Sequence, residues 1–350
     1  MAVNQSSGRR LEGLDLARFL ALVGMVIVNF DVVMVGIDES AAHFAILLQG
    51  RAAVTFVVLA GIGFSLSAKR GSVENIRRVT LKRVFFLAAL GMANMLIFPA
   101  DIIHYYAFYF LLGLAFLRVN LIALISWCCA LMLLFPVLVM VLDYDAGWDW
   151  TTGDYFGLWT PDGFVRNLVF NGWHPIVPWL AFFLFGMLLG RAALAHTRFQ
   201  VGLAIVGGVS FSLSTALALL LKPVLGTIDP ELAYFVGAEP IPPMPLFVIA
   251  GCGFASMVIG LCLLVEKRLA SWRLNAIVVP AGRQTLTLYI AHILIGMGVL
   301  EAAGLVGGQT PSAALTAAIL YCVAATVFAY LWSRRFKRGP LESVMRWLTG

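Results

Sequence analysis

Charge is what this sequence has least of. Asp, Glu, Lys and Arg together make up 12% of the 350 residues, against 61% for the hydrophobic set, and the mean hydropathy is +0.93. A water-soluble domain carries about 25% charged residues. The charge here is too sparse to cover a hydrated surface. Cysteine is scarce as well. Cys128, Cys129, Cys252, Cys262 and Cys322 all fall within apolar stretches, which excludes a disulfide framework and a Cys-x-x-Cys metal site. No metal site of any kind is expected. A P-loop, a GxSxG elbow, an HExxH pair, a short repeat and a soluble domain between apolar runs are all missing. The net charge of +6 does not point to nucleic acid. Its basic residues cluster beside apolar runs, at Arg77, Arg78, Lys82 and Arg83 and again at Arg334, Arg335, Lys337, Arg338 and Arg346. That pattern suits a membrane surface rather than a phosphate stripe.

What the chain has instead is long hydrophobic runs. A helix needs about 20 apolar residues to cross a hydrocarbon core. Ten segments meet that description: 14–37, 51–68, 80–98, 102–118, 121–142, 176–194, 201–221, 244–265, 284–306 and 311–333. The runs lack the alternation of a β-barrel. The expected fold is all-α, a polytopic membrane helix bundle of about ten transmembrane helices. Placing both termini inside puts all but Arg51, Arg166 and Lys222 of the 24 Lys and Arg residues on the inner side, so the expected topology is N-in and C-in. The outer loops are acidic, with Asp143, Asp145, Asp149, Asp154 and Asp162 in the longest of them, about 143–175. That loop also holds Trp148, Trp150, Trp159 and Trp173 and is expected in the headgroup belt, with a short interfacial helix over Gly163–Phe170. The first run is too long and too polar for a cleaved signal peptide, and residues 1–8 read as a disordered tail. The amphipathic stretch Pro340–Leu348 fits two placements, on the membrane or packed below the bundle. A multi-pass protein of the inner (plasma) membrane is expected, with the lipid bilayer as its first partner. The sequence also permits a homodimer.

Polar groups at membrane depth cost several kcal/mol unless paired or hydrated, so each is a candidate functional group. On the first helix Asp15, Arg18, Leu22 and Asn29 share one stripe at about 100° per residue. Asp15 and Arg18 are spaced to pair; the plain alternative is that Arg18 snorkels to the interface. On the ninth expected helix Thr285, Tyr289 and His292 form a second stripe, with Arg283 at its inner end. His292 is either a packing histidine or a cavity-facing one. His43 and Arg51 lie between the first two spans, where Arg51 also reads as an interface anchor. Gly61 and Gly63 read as points of close helix contact. His104, beside Tyr105 and Tyr106, reads as an interface-belt residue. His174, before Pro175 and Pro178-Trp179, either positions an outer-mouth site or turns the chain.

These residues carry a resemblance. The opening LEGLDLARFLALVGMVIVNF resembles the start of the heparan-α-glucosaminide N-acetyltransferase-like proteins and the related YeiB-like (DUF418) proteins. GRAAVTFVVLAGIGFSL, WHPIVPWLAFFLFGMLLGR and AGRQTLTLYIAH are similar to further blocks, and FKRGPLESVMRWL is similar to the YeiB-like C-terminal signature. The five blocks run in order along nearly the whole chain. The resemblance divides it into a heparan-acetyltransferase-like region, 9–222, with about seven helices, and a YeiB-like region, 223–350, with about three helices and a cytoplasmic amphipathic tail.

The resemblance implies a membrane acyltransferase that moves an acyl group, acetyl first, from cytoplasmic acyl-CoA to a sugar or envelope acceptor on the far side. Acyl-CoA (acetyl-CoA) enters as a co-substrate, not as a permanently bound cofactor. The spacing of Arg18 and Asn29 matches the heparan-type pattern, and His43 takes the position of the catalytic histidine. The Trp-Asn-Gly that follows that histidine in the family is absent. Gln49-Gly50-Arg51 stands where an acidic residue precedes the second helix, which implies a different acceptor.

The chemistry makes its own demands. Thioester transfer needs a base near neutrality, as histidine is, and a donor for the developing oxyanion, as a fixed Asn amide is. The candidates are therefore His43, Asn29 and His292 for catalysis. Arg18, Asp15, Arg283 and Arg83 are the candidates for the phosphates at an inner mouth. Arg51, His174, Tyr289 and Thr285 are the candidates for the acceptor side. His43 fits both a base and an acyl carrier. The alternative function is a transporter or exporter of a small envelope precursor that uses the same stripes as a path, although no inverted repeat is visible; a non-catalytic scaffold or sensor is a third reading.

Overall fold

The protein is described here from a computed structural model over residues 10–36, 43–69 and 71–350, without the side chains of His43 and Phe44. It is built almost wholly of helices. The chain runs α1 (Glu12–Met34), α2 (His43–Leu48), α3 (Arg51–Ala68), α4 (Val73–Met95), α5 (Ile103–Gly113), α6 (Leu121–Val141), α7 (Pro161–Arg166) and α8 (Ile176–Arg191). It continues through α9 (Thr197–Ile228), α10 (Pro230–Phe235), α11 (Pro245–Ser271), α12 (Asn275–Arg283), α13 (Thr285–Ala291), α14 (Gly298–Ala302), α15 (Pro311–Ser333) and α16 (Pro340–Thr349). A two-residue hairpin, Trp148–Asp149 with Asp154–Tyr155, is the one strand pair among the described residues. Local chemistry fixes several starts. Asn120 caps α6 by accepting from Ala123 N–H at 2.8 Å, and Pro245, Pro311 and Pro340 sit in the first turns of α11, α15 and α16.

Among the described residues, seven helices are long and apolar enough to cross a membrane. The pair Pro161–Asn171 and Ile176–Arg191, bent by 50°, supplies an eighth if it is one span. The chain is thus a multi-pass membrane protein. All ten expected runs are helical over most of their described length, but two fall short as crossings and a third, Ile176–Arg191, passes only together with Pro161–Asn171. α4 carries Glu74, Arg77, Arg78, Lys82 and Arg83 in its first half, and Ile103–Phe116 is too short. α12 was not expected from the sequence. It packs on α1 and α15, with Val279, Ala281 and Gly282 buried.

The helices form two layers. Between 56% and 61% of the apolar windows of α1, α3 and α11 is buried, whereas α6, α9 and α15 bury 17–22% of theirs. The first group surrounds the polar residues, and the second presents apolar side chains outward, as lipid-facing helices do. α3 and α8 cross closely. A Cβ on Gly61 would stand 2.1 Å from the Phe183 carbonyl, and one on Gly186 would stand 2.1 Å from that of Val58. Gly63 differs from the sequence expectation. A Cβ there would meet only Arg18 Nη2, at 3.6 Å, because this face of α3 borders a cavity and not a helix. The short helix expected over Gly163–Phe170 exists as α7 and the wide turn Asn167–Asn171. α16 packs against α4 and α13, below the bundle.

Candidate functional site

A cavity of about 520 Å³ opens at the end of the bundle where α1 and α13 begin. Arg10, Arg18, Arg83 and Arg283 stand at its mouth, and Glu342 and Met345 of α16 form part of the rim. A smaller recess beside it adds Lys337, Arg338 and Arg346. Basic residues from four separate stretches of chain therefore converge on one opening. Further in, the walls become apolar: Leu59, Ala60, Gly63 and Phe64 from α3, Phe110 from α5 and Leu87 from α4. The deep end is closed by Met25, Tyr106, Ile102 and Tyr289.

Asp15 organises the mouth. Its carboxylate, 1% exposed, receives Arg10 Nε at 2.8 Å and Nη2 at 3.0 Å, Arg18 Nη1 at 2.6 Å and Arg283 Nε at 3.3 Å. One acid thus holds three guanidinium groups. Arg10 lies just outside α1, and the hydrogen bond to Asp15 raises its pKa further, so it is charged at every physiological pH. Arg283 also reaches Glu12 at 3.3 Å. Glu342 is occupied elsewhere, accepting from the Leu286 and Thr287 N–H groups at 2.8 and 3.1 Å and from the Thr287 hydroxyl at 2.6 Å. Arg83 keeps a buried Nε with no partner among the described residues. The mouth therefore holds more positive charge than its own acids neutralise.

One turn beyond the deep end, on the same two helices, Asn29 Nδ2 lies 3.0 Å from His292 Nε2. His292 is fully buried, and its Nδ1 contacts the Tyr289 carbonyl. That carbonyl only accepts, so Nδ1 carries the proton and Nε2 is the basic nitrogen, facing Asn29. A wide turn over His292–Met297 starts at the histidine, whose ring lies 4.8 Å from that of Tyr289. Thr285 and Tyr289 line the cavity, whereas His292, three residues beyond Tyr289, is not part of the lining.

The other sequence candidates lie apart. His43 begins α2, but its side chain is outside the described residues. Arg51 is 5% exposed and donates to the Ile46, Leu47 and Ala238 carbonyls, with its guanidinium over the Phe211 ring. These bonds tie α3 to α2 and to the loop before α11. His174 lies in the bend before α8, its ring against Trp179 with centroids 4.5 Å apart, and its carbonyl accepts from the Tyr109 hydroxyl at 2.5 Å.

At the opposite end of the bundle, the loop from 143 to 175 folds over the α4–α5 turn. Asn171 pins it, donating to the Tyr144 and Ala146 carbonyls at 2.8 and 2.9 Å and accepting from the Tyr155 hydroxyl at 2.8 Å. A second pocket of about 560 Å³ lies there, walled by Tyr155, Phe156, Trp159, Trp173 and Asn167. Sequence reasoning missed the residues beneath it. His104, read as a belt residue, is 1% exposed and faces Asp101, which is fully buried. The one signal for this pair was Asp101 itself, an acid three residues before a histidine inside an otherwise apolar stretch.

A bundle of membrane helices around a cation-mouthed cavity that ends beside an Asn–His pair defines a polytopic membrane protein with an enclosed site. The comparisons agree. The profile described as "Heparan-alpha-glucosaminide N-acetyltransferase, catalytic" matches residues 10–217, and the one described as "Protein of unknown function (DUF418)" matches 191–350. The chain belongs to the heparan-alpha-glucosaminide N-acetyltransferase catalytic-domain family, with a DUF418 C-terminal region. It is also similar to the uncharacterized protein YxaH of Bacillus subtilis (strain 168), at 22% identity over 97% of this chain and 94% of that protein.

Proposed function

We propose that this protein is a membrane acyltransferase that moves an acyl group, acetyl first, from acyl-CoA to a saccharide or other envelope acceptor across the plasma membrane. The observation that carries the reading is the cavity: a cationic mouth, an apolar shaft and an Asn–His pair one turn past its end. A CoA thioester has the matching order of parts, with phosphates, a long uncharged arm and a reactive carbonyl. Guanidinium groups bind phosphate oxygens with directed, charge-assisted hydrogen bonds. The shaft shields the arm, and Asn29, whose amide is held by His292 Nε2 at 3.0 Å, is spaced to donate to a developing oxyanion. His43 is a further candidate base or acyl carrier on the acceptor side. The reading goes with both termini inside; of the ten expected runs, α4 and α5 form a hairpin whose polar turn is covered by protein rather than lipid.

The test is acetyl-CoA binding to the detergent-solubilised protein by calorimetry, with Arg18→Ala alongside. Micromolar binding weakened at least tenfold in the variant supports the reading, and no binding by the wild type refutes it. A second reading, export of a small precursor, draws on the pocket at the opposite end of the bundle. It predicts proteoliposome flux that survives in the His43→Ala, His292→Ala double variant.

A further inference from the structure

The α4–α5 turn is a partition with a cavity on either side. Ile102, Ile103 and Tyr106 line the mouth-end cavity, whereas Met95, Leu96 and Pro99 line the pocket under the tryptophan-rich loop. Inside the partition lie Asp101, His104 and Asn94, none more than 4% exposed. Asp101 Oδ1 accepts from Asn94 Nδ2 at 2.7 Å. Its Oδ2 accepts from the His104 backbone N–H at 3.0 Å and faces His104 Nδ1 at 3.2 Å. A buried carboxylate and imidazole are costly, and an apolar pair would pack as well or better. The carboxylate only accepts when charged, so Nδ1 carries the proton and Nε2 is the basic nitrogen. This is the carboxylate–imidazole half of a hydrolytic triad.

The pair is linked to both cavities. The Tyr289 hydroxyl, on the wall of the first, accepts from Ile102 N–H at 3.4 Å. Toward the second, the His104 ring lies against Tyr105, with centroids 3.9 Å apart. The Tyr105 hydroxyl donates to Asn167 Oδ1 at 2.8 Å, and Asn167 lines that pocket. Gly91 of α4 makes room for the turn, since a Cβ there would stand 2.3 Å from His104 N. Among the described residues, the titratable groups around His104 are Asp101 and Tyr105 on its own turn, His174 from the bend before α8, whose ring is 5.8 Å from that of Tyr105, and Tyr289 from α13; α4 contributes Asn94 and Gly91.

We propose that Asp101 and His104 form a second acid–base centre of the acyl transfer, separate from Asn29 and His292, which receives the acceptor's proton within the partition. The proposal rests on the acyltransferase reading. The acceptor oxygen bonds to the thioester carbonyl carbon and the carbon–sulfur bond breaks. The acceptor's hydroxyl proton goes to His104 Nε2, with Asp101 holding the imidazolium. The departing thiolate takes a proton from water as the CoA thiol withdraws through the cavity, and His104 returns its own to water in the far pocket. The products are the acylated acceptor and the CoA thiol.

The experiment uses the full chain in detergent, radiolabelled acetyl-CoA as donor, glucosamine as probe acceptor and water as the acceptor always present. His104→Gln is expected to lower kcat by about 10²–10⁴-fold with acetyl-CoA affinity kept. Asp101→Asn is expected to lower kcat and to move the acidic limb of the pH–rate profile to lower pH, because the imidazolium loses its carboxylate. A purely structural role would leave that limb in place. His196→Ala, exposed near the start of α9, is expected to behave as wild type. The proposal is overturned if His104→Gln keeps kcat within threefold, if the limb does not move, or if both variants lose acetyl-CoA binding. It is also overturned if wild-type protein that binds acetyl-CoA turns it over with neither glucosamine nor water. Wild-type protein that binds no acetyl-CoA removes the donor reading itself, which is a separate failure.

Discussion

Gly61 and Gly63, two residues apart on α3, are expected to respond oppositely to the same substitution. At Gly61 an added methyl would stand 2.1 Å from the Phe183 carbonyl oxygen and 2.9 Å from Met187 N, both backbone atoms of α8. Neither can rotate away. An ordinary carbon–oxygen contact needs about 3.3 Å, so Gly61→Ala must drive α3 and α8 apart by about 1 Å. A gap of that size forfeits up to about half of the dispersion across the contact, and overpacking of this kind costs about 1–3 kcal/mol. At Gly63 the same methyl meets only the flexible end of Arg18, and replacing a mid-helix glycine by alanine gains up to about 1 kcal/mol. The two variants should therefore differ by about 2–4 kcal/mol, Gly61→Ala below wild type and Gly63→Ala at or above it. The assay is residual monodisperse protein after heating in detergent, read by size-exclusion fluorescence. Equal or reversed melting would refute the close α3–α8 crossing. Gly63→Trp extends the test to function, because its ring fills the shaft. It should melt no lower than wild type yet lose acetyl-CoA binding; retained binding would remove the donor from this cavity.

Arg283→Ala removes a guanidinium from the mouth. Charge-assisted hydrogen bonds are worth about 1.5–3 kcal/mol, so acetyl-CoA affinity should fall by about 10–100-fold while pantetheine, which has no nucleotide phosphates, binds as before. Asn29→Ala should reduce kcat by about 10²–10³-fold, the usual loss for one oxyanion donor, with the donor Kd unchanged in equilibrium binding. Asn171→Ala strips three hydrogen bonds, to Tyr144, Ala146 and Tyr155, at about 1 kcal/mol each. The loop over the far pocket should open, read as faster proteolysis between 143 and 175 and a red-shifted tryptophan emission.

The helices were legible because a membrane leaves a run of apolar residues few alternatives. Every expected run is helical, and α16 was visible as an amphipathic stretch. The polar stripes were legible for the same reason, since Asp15 and Arg18 have no cheap place in lipid except beside each other or water. Helical periodicity aligned them with Asn29, and the fold carries the first two to the cavity wall. Spacing does not reveal what lies opposite a stripe. Asn29 meets His292 across 263 positions of sequence, a partner no local pattern specifies. Gly63 misled for a related reason: a missing side chain permits both a close helix and an empty cavity, and only the partner decides which. Arg51 is ambiguous by type. Its charge fits a ligand and an interface anchor alike; Nη1 and Nη2 meet three backbone carbonyls, while the buried Nε has no partner among the described residues.

The Asp101–His104 turn was hidden by an assumption about depth. Span arithmetic ended one helix at 98 and began the next at 102, which put Asp101 at a hydrated surface where an acid needs no explanation. α4 does not fit that picture. Its charged first half, with Arg83 at the cavity mouth, leaves only the dozen residues to Met95, about 18 Å of helix, for the way across. That is short of a hydrocarbon core of about 30 Å. A hairpin turning at that depth would leave its polar turn in lipid unless protein covered it. The loop 143–175 supplies the cover, with Asn167 on Tyr105 and the Tyr109 hydroxyl on the His174 carbonyl. The aromatic loop that composition alone assigned to the headgroup belt is thus partly a roof over a shortened hairpin. A loop that covers an interior acid–base pair is bound to form part of any path from the far side to that pair, so its tryptophans and the buried histidine belong to one structural unit.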